Sequence, residues 1–65
     1  MIKRTLALQY FPQATNSRNA IRSLNRWIER CEPLHHALQA MGVQAGQQYL
    51  PPEAVRLIYH YLGEP

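Results

Sequence analysis

The chain has 65 residues, 46% of them hydrophobic, with seven Lys/Arg against four Asp/Glu and a formal net charge of +3. That size fits one domain over residues 1–65, whose core barely offsets the roughly 100 kcal/mol of conformational entropy lost on ordering. Cys31, the single cysteine, excludes an internal disulfide framework, the apolar fraction excludes a disordered chain, and no apolar run nears the roughly 20 residues of a membrane span.

The first eight residues begin like a signal peptide, but their apolar stretch stops at Gln9. It is too short for an export signal, so the cytoplasm is the expected compartment. A first helix is predicted over residues 3–10, with Leu6, Ala7, Tyr10 and Phe11 on one face. Pro12 ends it, because proline disfavours helical geometry in the residue before it. Thr15, Asn16 and Ser17 are all good N-caps, so the start of the next helix is left open among them.

The second helix is predicted over residues 17–31. Ala20, Ile21, Leu24, Trp27, Ile28 and Cys31 repeat at the i, i+3, i+4, i+7 spacing and fall within an arc of about 120°. Arg18, Arg22, Arg26 and Arg30 are spaced by four and fall in a second arc, centred opposite the first. One face is expected to bury Trp27 with the aliphatics. The other carries four guanidinium groups.

A short third helix is predicted over residues 33–41, opened by Pro33, patterned by Leu34, Leu38 and Met41 and stopped by Gly42. Residues 43–50 hold three glutamines and Gly46 and read as a loop, with a short hairpin as the alternative. Val43, Tyr49 and Leu50 are its candidate anchors. A last helix is predicted over residues 52–62, with proline at its first position and Glu53 in its first turn. Its apolar residues cover more than half of its circumference, which predicts a helix central to the core. The fold class is therefore all-α: a three- to four-helix mini-domain packed around Trp27, with helix-turn-helix-like geometry from the first two helices.

Several landmarks carry a family resemblance. Tyr10-Phe11-Pro12, the Arg26-Trp27-Ile28 step in a basic helix, the run from Pro51 to Ile58 and the ending Tyr61-Leu62-Gly63-Glu64-Pro65 resemble short bacterial proteins catalogued only as domain of unknown function 4248. The C-terminal pentapeptide is the most specific piece. The resemblance implies a bacterial, cytoplasmic helical mini-domain, found mostly in gut anaerobes and associated with mobile-element neighbourhoods. It implies no activity. The connection after Pro12 and the Gln-rich loop are less typical of the family, so nothing is carried over there.

The arginine row is the leading candidate site. Arginine neutralises phosphate and releases counterions, and a helix-turn-helix places its second helix in the major groove. In that arrangement Asn16, Arg18, Asn19, Arg22 and Ser23 would lie near the DNA, Arg26 and Arg30 would reach phosphates, and Lys3 and Arg4 would extend the basic surface. The plainer reading is a solvated helix face, with Arg26 and Arg30 partly neutralised by Glu29 or Glu32. One departure counts against the motif: the usual turn carries a glycine, and Pro12-Gln13-Ala14-Thr15 has none.

Trp27 could stack on a base if exposed, but its phase with Leu24 and Ile28 favours the core, where Tyr10, Phe11 and Tyr61 are expected to join it. Tyr49 and Tyr59 are left open between core and partner surface. Cys31 and His35 could share a helix face, yet Glu32-Pro33 interrupts it and no second thiolate exists. Cys31 is expected to be buried, and His35 and His36 to lie on the surface. No glycine-rich phosphate loop, serine elbow or paired carboxylates are present, so no catalytic residue, cofactor, metal or small-molecule substrate is expected. The expected partner is DNA, or else a second copy or another protein, with no membrane role.

Overall fold

The computed structural model describes residues 1–44 and 46–65, and among these the chain forms four α-helices, so the fold is all-α. They are α1 (Lys3–Tyr10), α2 (Ser17–Arg30), α3 (Glu32–Ala40) and α4 (Pro52–Leu62). Each boundary has a local cause. Asn16 is the N-cap of α2: its backbone is extended and its Oδ1 accepts from the Asn19 N–H at 2.9 Å. Cys31 alone separates α2 from α3. Its N–H closes α2 on the Trp27 and Ile28 carbonyls, while its own carbonyl accepts the first α3 bond from His35. Gly42, at φ 82°, ends α3 in a Schellman motif, with Gly42 N–H donating to Gln39 and Val43 N–H to Leu38. That φ is the left-handed region glycine enters without a Cβ penalty.

Contacts run along the chain: α1 packs on α2, α2 on α3, and α3 on α4. All four helices contribute to one core of Leu6, Ala7, Ala20, Leu24, Ile28, Leu34, Leu38, Ala54, Val55 and Ile58, and Leu50 joins them from the connection before α4. The helices between two neighbours are α2 and α3. The last helix, expected at the centre, packs chiefly on α3 and buries only Ala54, Val55 and Ile58. A broad apolar circumference shows that a helix could be surrounded. It does not supply the partners.

The loop expected over 43–50 includes Ala45, which lies outside the described residues. Among the others no hairpin forms. The segment pairs with the N-terminus instead, through an antiparallel bridge between Ile2 and Tyr49. The Met1 amino group donates to the Leu50 carbonyl at 2.9 Å, the Leu50 N–H to Met1 at 2.8 Å and the Lys3 N–H to Gln48 at 2.7 Å. This clamp seats Leu50 in the core at 2% exposure and leaves Tyr49 outside at 59%. At the other end, the Tyr10 hydroxyl donates to the Gly63 carbonyl and ties the end of α1 to the end of α4.

Candidate nucleic-acid interface

The apolar stripe of α2 is anchored by Ala20, Leu24 and Ile28, which fixes the helix's rotation about its axis. Arg18, Arg22, Arg26 and Arg30 are therefore turned outward, and all four are exposed. At four-residue spacing the row is about 18 Å long. Glu29 lines a shallow groove with Arg18, Arg22 and Arg26, but among the described residues no ion pair joins any of the four arginines to Glu29 or Glu32.

The flanks of the row differ from expectation. Arg4 is exposed and lines a groove with Arg18 and Asn25, so α1 does extend the basic surface by one residue. Lys3 does not extend it. Only 5% of its surface is exposed, and burial pushes its ammonium below its ordinary pKa of 10.5. The physical reason is phase: Lys3 stands three and four residues before Leu6 and Ala7, on the same face of α1, and the 48–50 segment closes over it. That spacing was visible in the sequence and carried the signal. The remaining polar candidates, Asn19 and Ser23, are half-buried beside the turn at residues 11–16. The Asn19 side chain donates to Thr15 Oγ1 at a long 3.4 Å.

Trp27 is the residue most misjudged from periodicity. It is 41% exposed, not the centre of the core. It lies at the edge of the apolar arc, and its neighbours are other half-exposed rings. Phe11 meets it edge-on at 4.6 Å between centroids and Tyr10 at 6.3 Å, with Tyr59 another 6.5 Å from Tyr10. Tyr61, also expected inside, is 42% exposed on the last turn of α4. Cys31 is half-buried rather than buried, His35 is half-buried rather than on the surface, and His36 is exposed. Among the described residues no group of three or more His, Cys, Asp or Glu side chains stands close enough to hold a metal ion. No helix of the described residues is long and apolar enough to cross a membrane.

No curated protein and no solved structure matches the chain. The family model described as "Domain of unknown function (DUF4248)" matches residues 2–65, which covers all four helices. The resemblance read from Tyr10-Phe11-Pro12 and the C-terminal pentapeptide is thus a membership: the chain belongs to the DUF4248 family.

Proposed function

We propose that this protein is a small, non-catalytic nucleic-acid-binding accessory protein of the bacterial cytoplasm, with α2 as its contact helix. One observation carries the reading: four exposed arginines in an 18 Å row (about 1.5 Å of rise per residue), with no ion pair to a carboxylate among the described residues. A row of exposed guanidinium groups attracts polyphosphate through counterion release and bidentate hydrogen bonds. Arg4 adds to it across the groove it shares with Arg18. The helix-turn-helix-like arrangement, α1 and α2 joined by residues 11–16, and a mobile-element setting belong to the same proposal.

Salt titration against mixed-sequence DNA tests it. Micromolar binding that weakens steeply with salt is expected, and Arg22→Glu should remove it while the circular dichroism of the domain stays unchanged. An absence of binding at low salt overturns the reading.

A second reading rests on different residues. Leu8, Met41 and Tyr61 leave apolar surface exposed, which favours a protein-interaction module or a homodimer without a nucleic-acid role. Sedimentation as a strict monomer at high concentration would remove the homodimer.

A further inference from the structure

The exposed ring of Trp27 and the arginine row share one helix, and their spacing matters. Arg30 follows Trp27 by three residues and Ser23 precedes it by four, so all three are surface neighbours. Asn19 lies one turn before Ser23. Together with the turn after α1, Asn19 and Ser23 line a groove of about 560 Å³ whose opposite wall is Tyr10 and Phe11. Trp27 stands beside that groove, not in its lining: it follows Ser23 by one turn, and its ring lies 4.6 Å from Phe11 between centroids. The indole is held by two edge-on aromatic contacts while 41% of the residue stays open to solvent.

We infer that the exposed face of Trp27, beside this groove, takes an unpaired base of a single-stranded nucleic acid, with the sugar-phosphate chain following the arginine row. The inference rests on the nucleic-acid reading above and narrows its substrate. Bases in a duplex are already stacked on one another, so a ring fixed on a packed helix finds no free base face there. Unpaired bases offer one, and aromatic rings beside cationic grooves are how single strands are held. Charge complementarity settles the occupant. Arg30, one turn after Trp27, and Arg26 beside it are exposed cations, which suits a polyanion carrying flat apolar bases better than an apolar helix.

Trp27 is the only tryptophan, so its own emission reports on the site. The test titrates the full chain with a short mixed-sequence DNA strand and with the duplex of the same sequence, at one salt concentration. The strand should quench Trp27 and bind more tightly than the duplex. Trp27→Leu, checked for folding by circular dichroism, should weaken strand binding between about fivefold and about a hundredfold, and Trp27→Phe should restore most of it. A folded Trp27→Leu variant that binds the strand as tightly as the parent overturns the inference, as does a preference for duplex. If Arg22→Glu abolishes binding while Trp27→Leu does not weaken it, only the single-strand assignment fails. If the parent binds neither strand nor duplex, the broader nucleic-acid reading fails with it.

Discussion

Helices α2 and α4 each bury three residues, Ala20, Leu24 and Ile28 in one and Ala54, Val55 and Ile58 in the other. What they do with the rest of their surface differs. In α2 nearly everything outside the stripe is polar, and the side opposite the core is arginine. In α4 the apolar residues spread over an arc of about 200°, and Leu57, Tyr59 and Leu62 are only half-buried. Ala54 and Tyr61 share nearly the same phase on α4, seven residues apart, yet Ala54 is 0% exposed and Tyr61 42%. Height along the helix separates them: Ala54 is in the first turn and Tyr61 in the last. A narrow stripe with charge behind it sets how a helix is rotated. A broad one leaves the outcome to whatever happens to pack against it.

The largest expected effect tests whether burial or centrality sets the energetic weight of the two helices. Leu24→Ala should cost about 2–5 kcal/mol, a large share of the stability of so small a domain. Ile58→Ala should fall in the same range, since Ile58 is as fully buried as Leu24 although its helix is peripheral. Urea unfolding of both variants measures this. A nearly neutral Ile58→Ala would mean that α4 is only loosely docked.

Charge reversal sharpens the functional side of the comparison. Arg22→Glu on α2 should lower nucleic-acid affinity at moderate salt by about tenfold or more, whereas Arg56→Glu on the exposed side of α4 should change it by less than about twofold. Equal losses at the two positions would show diffuse attraction to net charge instead of a defined row. Lys3 is the control inside the molecule: Lys3→Met should change affinity less than Arg4→Met, because only Arg4 is on the surface.

The starts of the two helices differ as well. Asn16 caps α2 with its side chain, while α4 begins at Pro51 with no side-chain cap and relies on proline geometry. Asn16→Ala should therefore cost about 1 kcal/mol, read from the shift in the unfolding midpoint.

The smallest effect is at alkaline pH. Burial, and then the Tyr59 phenol and the Glu64 carboxylate, hold Tyr10 above its ordinary 10.0. The folded state thus keeps its phenolic proton longer than the unfolded chain. The stability this contributes is fully present below pH 10.0 and is lost as pH rises through the higher folded value. Lys3, lowered by burial, acts with the opposite sign: the penalty on its charge is relieved as pH rises toward 10.5. Tyr10→Phe should remove the alkaline loss and leave the Lys3 gain visible in thermal melts across that range.

How much of this was legible in the sequence varies with how local each cause is. The helix limits at Lys3, Tyr10, Ser17, Pro52 and Leu62 fall where the sequence places them, and those at Arg30, Glu32 and Ala40 within one residue, because proline, glycine and Asn16 act on their immediate neighbours. The arginine row and the Leu24 stripe were equally legible, since they depend only on the helical repeat. Residues at the edge of the stripe were not. Periodicity assigns Trp27 to the apolar side, but whether a large ring is covered depends on which elements pass beside it, and there Phe11 and Tyr10 leave it 41% exposed.

The sequence by itself determined four helices, their limits and the polarity of α2, all set by interactions within a turn or two of each residue. Tertiary structure alone decided that Tyr49 and Leu50 clamp the N-terminus, that α4 packs chiefly on one helix, and that Trp27 stands open beside the arginines. Each of those outcomes depends on elements distant in the chain meeting at one place, and the spacing of residues within a single helix does not specify such meetings.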